Sequence, residues 1–219
     1  MKYWIVITGA VWLILSLYSC DGNPPELNQA EWMLVDRADS SGTRMREELL
    51  LFCQGSDEDG SSDLASLTLR YPDLELSWTV DGEALSPLTR SSENWWGYPS
   101  LVMPRGENFP RGEYGIILED LSGQRAERIL LLEGDPFDPE EFDPPEFQAS
   151  AEGIEILDAR GRDWMILFYR DGMGIRREYV SSNALWTLPA DLKVPGISCF
   201  LLHVDPRFLR GWKQGPYGL

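Results

Sequence analysis

Short apolar runs of period two, each cut off by Gly, Pro, Asp or Ser, set the narrowest limits on the fold of this 219-residue chain. Leu67-Thr68-Leu69-Arg70, Leu74-Glu75-Leu76-Ser77-Trp78-Thr79-Val80, Tyr114 to Glu119 and Ile129 to Leu132 are the clearest. Successive side chains of a strand point to opposite faces, so alternation of this kind builds a sheet with one apolar side. Strands at roughly 8–12-residue spacing with turn residues between them predict an all-β sandwich. No stretch sustains a capped 3.6-residue period. Arg44 to Gln54 comes nearest to a helix.

The runs recur. Residues 104–120 (PRGENFPRGEYGIILED) align with 189–205 (PADLKVPGISCFLLHVD) at an offset of 85, pairing Pro104 with Pro189, Tyr114 with Cys199, Leu118 with His203 and Asp120 with Asp205. Upstream, Trp78-Thr79-Val80-Asp81-Gly82 aligns with Phe168-Tyr169-Arg170-Asp171-Gly172 at an offset of 90, which predicts five extra residues within Arg90–Pro99. Ordered matches at near-constant offset predict two related units. The order strand, Trp, Asp-Gly turn, Pro, then Gly-x-Tyr-x-Ile-x-Leu-x-Asp resembles immunoglobulin-like and fibronectin type III-like sandwiches. The resemblance implies that Trp78 is a core residue on strand C and that Gly112-Glu113-Tyr114 forms a tyrosine corner. The antibody-type disulfide is absent, since Ile116 follows Tyr114 by two. The resemblance covers 60–219 and gives little for 29–58. Tandem sandwiches are expected at 29–134 and 147–219, joined by an acidic, Pro-rich spacer at 135–146. Phe137 and Phe142 in that spacer, with Phe147 beyond it, either pack on the flanking domains or form a docking peptide.

Ahead of these units the sequence is of another kind. Met1-Lys2-Tyr3-Trp4 leads into an apolar run from Ile5 to Leu17, then Tyr18-Ser19-Cys20-Asp21-Gly22. One early Lys, about a dozen apolar residues and a small residue before a cut site make a secretory signal peptide. The run is short for a spanning helix, which needs roughly 20 apolar residues. Leu17-Tyr18-Ser19-Cys20 resembles the lipobox of bacterial lipoproteins, in the relaxed form of spirochaetes. The resemblance implies loss of the signal-peptide helix 1–19, diacylation of the Cys20 thiol and acylation of the new amine, with 20–28 as a tether. An ordinary signal peptide or an uncleaved anchor would leave Cys20 a bystander. Two or three acyl chains anchor stably where one does not. A lipid-anchored place in a bacterial cell envelope is therefore expected.

Removal of 1–19 takes only Lys2 from the charged residues, leaving 18 Lys and Arg against 36 Asp and Glu, a formal charge of −18. That balance excludes nucleic acid, whose binding rests on neutralising phosphates. It equally disfavours docking of the folded part on anionic lipid. Cys53 and Cys199 lie in apolar segments, as buried free thiols or as a disulfide formed after export. No HExxH, GxSxG, P-loop or GxGxxG pattern occurs, and the single histidine, His203, reads as structural. A glycosidase-type carboxylate pair has no signature here, so no catalytic residue, metal ligand or cofactor is assigned. The chain reads as a binding or structural module for an envelope protein, with carbohydrate binding as the alternative. Trp95, Trp96 and Tyr98 are the candidate contacts, because adjacent strand residues face opposite sides and one of Trp95 and Trp96 is expected outside. Asp57-Glu58-Asp59-Gly60-Ser61-Ser62-Asp63 partly echoes a calcium loop, without the register or closing Glu of an EF-hand. A solvated hairpin loop is the competing reading.

Overall fold

A computed structural model describes residues 23–58, 60–90, 93–134, 146–150, 152–157, 162–171, 173–180, 185–205 and 210–219, with Ser61, Arg90 and Met173 described in backbone alone. Cys20 and the segment before it, and Phe137 and Phe142 with residues 135–145, lie outside the described residues. The strands of the first half are β1 (Glu26–Ala38), β2 (Arg44–Ser56), β3 (Leu64–Tyr71), β4 (Leu76–Asp81), β5 (Ser86–Arg90), β6 (Glu93–Val102), β7 (Gly112–Asp120) and β8 (Arg125–Leu132). Those of the second are β9 (Phe147–Ala149), β10 (Gly153–Ile156), β11 (Trp164–Arg170), β12 (Met173–Val180), β13 (Leu185–Thr187), β14 (Ile197–Asp205) and β15 (Arg210–Gly218). The described residues contain no α-helix, only short 3-10 turns, and no helix able to cross a membrane. The fold is all-β.

Three sheets result, ordered β12-β11-β14-β15-β1-β2-β6-β5, β4-β3-β7-β8 and β13-β10-β9. In immunoglobulin lettering, β1-β2-β6-β5 is A-B-E-D and β4-β3-β7-β8 is C′-C-F-G. The second half repeats the series as E-B-A in β13-β10-β9 and C′-C-F-G in β12-β11-β14-β15. β15 runs parallel to β1, with Leu34 opposite Arg210 and Ala38 opposite Gln214. The described chain gathers into two compact units. One holds the residues up to Ala30 with Phe52–Tyr98 and Glu113–Leu131; the other holds Glu31–Leu51, Pro99–Gly112 and Leu132–Leu219. The divisions fall inside β1, β2, β6, β7 and β8.

Alternation explains the first core. Tyr114, Ile116 and Leu118 of β7 point inward and are buried, while Gly115 and Ile117 between them point outward. Leu69 and Leu67 of β3 oppose Ile116 and Leu118, and the Tyr71 ring lies 4.7 Å from that of Tyr114. Each such aliphatic side chain contributes roughly 2 kcal/mol on burial. In the second core Ile154 and Ile156 of β10 meet Trp164, Ile166 and Phe168 of β11 and Cys199 and Leu201 of β14.

Two sequence expectations need correction. Arg44–Gln54 is not helical; it lies in β2, where Leu49, Leu51 and Cys53 are buried at period two. Charged Arg44, Arg46, Glu47 and Glu48 at its start broke the apolar alternation and disguised the strand. The repeat also has a different upstream register. Ile166 opposes Leu201 as Leu69 opposes Ile116, so strand C repeats at an offset of 97 while strand F repeats at 85. The first copy is thus longer by twelve residues rather than five, and it holds a D strand, β5, with no counterpart among the described residues. Trp78 accordingly sits half-buried on β4, the C′ edge strand, with its ring 6.3 Å from Tyr114. The strand C aromatics are Tyr71 in β3 and Trp164, Phe168 and Tyr169 in β11.

Candidate functional site

The aromatic strand does not present a platform. Trp95 and Trp96 are 4% and 8% exposed, and only Tyr98 of the three candidate contacts is half-buried. Alternation does turn them to opposite faces, but both faces of β6 are covered. Burial runs through Trp95-Trp96-Gly97, the pattern of a strand without a solvent side. Trp96 lies on the same side as Leu118, since a Cβ on Gly55 would meet Trp96 Cζ3 at 3.6 Å and Leu118 Cδ2 at 3.5 Å.

Sequence reasoning missed a buried ion network on β1 and β2. Asp36, Glu47 and Glu48 are 0%, 0% and 2% exposed. Arg111 grips Glu47 bidentately, Nη2 to Oε1 at 2.8 Å and Nη1 to Oε2 at 3.0 Å. The Phe109 N–H donates to Glu47 Oε2 at 2.8 Å, and Arg111 also donates to the carbonyls of Phe109 (2.6 Å) and Gly134 (2.7 Å). Arg44 donates to Asp36 at 2.8 Å and to Asn108, and Arg210 bridges Asp36 (3.3 Å) and Glu47 (3.4 Å). Burial raises the Asp36 pKa against the pull of Arg44 and Arg210. The network fastens loop 103–111 to β2. Arginine donors thus hold both Asp36 and Glu47.

Both described cysteines are enclosed. Cys53 and Cys199 are free and buried, so the open question of their pairing resolves to two thiols. Burial pushes both thiols up to about 12. Iodoacetamide at neutral pH should therefore leave both unmodified in the folded protein and label both in denaturant; native labelling of either contradicts this burial. His203 stacks on Trp164 at 5.4 Å and contacts the Asp163 carbonyl through Nδ1 at 2.8 Å, a structural setting. Phe147 packs against Tyr217, with ring centroids 4.1 Å apart.

A surface concavity of about 410 Å³ lies on the outer side of β3, β7 and β8, lined by Arg70, Pro72, Gly115, Ile117, Glu127, Arg128 and Ile129. Gly115 opposes Arg70 in register, and a Cβ built on it meets nothing within 4 Å. The missing side chain makes the hollow. Ile117 supplies an apolar wall, Ile129 another at 69% exposure, and Arg70 and Glu127 a charged rim. β8 is also an edge of its sheet, with Leu131 48% exposed beside Ile129. Elsewhere in the same unit, Asp57 and Asp63 of the acidic loop are joined by Asp120 from the end of β7.

No protein-family model matches the chain, and no curated protein does. Among solved structures it is similar to dimeric latent PorU from Porphyromonas gingivalis, at 11% identity and TM-score 0.31, over 90% of this chain and 21% of that one. It is also similar to SGBP-B of the Bacteroides ovatus mixed-linkage glucan utilization locus, solved with a mixed-linkage heptasaccharide. That match has 13% identity and TM-score 0.24, over 76% of this chain and 49% of that one. The chain spans about a fifth of the first and about half of the second.

Proposed function

We propose that the chain is a lipid-anchored lipoprotein of a bacterial cell envelope whose β-fold is a non-catalytic binding module for a protein partner. Leu17-Tyr18-Ser19-Cys20 after the apolar run supports the anchor. The observation that carries the partner class is the hollow over Gly115. Its Ile117 and Ile129 walls with an Arg70 and Glu127 rim suit a polypeptide, which offers apolar and charged groups together. A sugar ring stacks best on an exposed aromatic face, and Trp95 and Trp96 are both covered. Spacer residues Phe137 and Phe142 would be a second docking element.

Gly115→Val tests this surface without disturbing the core, because the added side chain enters open space on a strand. Its stability should match wild type within about 1 kcal/mol, the span of strand propensities. A photo-crosslinker at Ile129 should trap one envelope protein, and Gly115→Val should cut that yield at least tenfold. An unchanged yield, or glycan-array binding that Gly115→Val leaves intact, would remove the hollow from the account.

A further inference from the structure

We infer that Asp57, Asp63 and Asp120 form a binding site for a hard divalent cation, calcium above all. The strand register brings them together: Leu64, the first residue of β3, opposes Asp120, the last of β7, so Asp63 arrives beside it. The Leu121 N–H donates to the Asp63 carbonyl at 2.7 Å and ties the loop to the β7–β8 turn. Within the loop the Gly60 N–H donates to the Asp57 carbonyl (3.1 Å) and the Asp63 N–H to the Gly60 carbonyl (3.0 Å). Gly60 has φ +105°, a conformation that side-chain-bearing residues rarely adopt. One carboxylate oxygen from each of the three aspartates then lies within 4.8 Å of the other two.

Acidic groups crowd together easily on a chain of net charge −17, but a second feature separates this cluster. Asp120 is 1% exposed. Its Oδ1 accepts from Ser122 Oγ and from the Gln124 N–H, both at 2.8 Å, whereas its buried Oδ2 has no donor among the described residues. A buried acceptor left without a partner is unfavourable, more so when charged. Two neighbouring carboxylates add repulsion. A dication among the three oxygens would relieve both effects. The donor set is oxygen alone, which suits calcium or magnesium rather than zinc or copper. Calcium tolerates the irregular geometry of a loop against a turn, where magnesium demands near-ideal octahedral geometry. Three carboxylates with water completing the shell suggest a dissociation constant on the order of 10⁻⁴ M, near that of extracellular calcium modules.

The test is calorimetric titration of the chelator-stripped protein with calcium chloride, with thermal unfolding in about 10 mM calcium against EDTA. Saturation at one site and a Tm rise of roughly 5 °C are expected. Asp120→Asn should weaken calcium binding at least tenfold. Asp57→Asn, at a half-buried position, should do the same and keeps the test open if Asp120→Asn fails to fold. Asp73→Asn, exposed and outside the cluster, should bind like wild type. Absence of calcium-dependent heat and Tm shift in wild type would overturn the site. So would a calcium response that survives in both Asp120→Asn and Asp57→Asn.

Discussion

Glu47→Ala should lower the unfolding free energy by about 3–5 kcal/mol, the usual cost of removing one partner from a buried ion pair. Glu47 is fully buried and receives two N–H bonds from Arg111 and one from the Phe109 backbone. Its loss strands the Arg111 guanidinium, only 20% exposed, and frees the loop that Phe109 anchors. Glu119→Ala supplies the contrast. Glu119 pairs with Arg125 at 2.7 Å, but their side chains are 30% and 56% exposed. Exposed pairs of this kind are worth about 0–1 kcal/mol. Urea unfolding of the two variants side by side separates burial from proximity. A Glu47→Ala loss no larger than that of Glu119→Ala would show the network to be ornamental.

The second large effect concerns the lipid. Cys20→Ser should abolish fatty-acid labelling and leave the signal segment attached, because lipid on this thiol precedes the cut in lipoproteins of the type it resembles. Metabolic palmitate labelling and the apparent mass on gels report both changes at once. Fatty-acid label retained by Cys20→Ser would contradict the anchor.

The sequence showed the all-β fold plainly wherever one sheet face is solvated. β7 and β3 alternate cleanly, and the offset of 85 between Gly112–Asp120 and Ile197–Asp205 reproduces the strand bounds residue for residue. It misled where both faces are covered or where charge is buried. Period two vanishes in Trp95-Trp96-Gly97, because no face of β6 needs polar residues there. In β2 nothing local marks Glu47 as buried, since the groups that hold it, Phe109, Arg111 and Arg210, are distant in sequence. Trp78 aligns with Phe168 through the Asp-Gly that follows each, but strand C repeats at 97 and strand F at 85, a difference of twelve residues that includes the added D strand. The candidate cation site was half visible. Asp57 and Asp63 share a loop, but Asp120 joins them through strand register, which no local pattern records. The hollow over Gly115 had a fainter trace, a glycine at an outward position of an otherwise filled strand.

Mass spectrometry of the mature amino terminus decides the anchor. A peptide beginning at Cys20, with a diacylglyceryl group on the thiol and an acyl chain on the amine, is expected. A chain still beginning at Met1, or a cut chain with Cys20 unmodified, would overturn the lipoprotein reading.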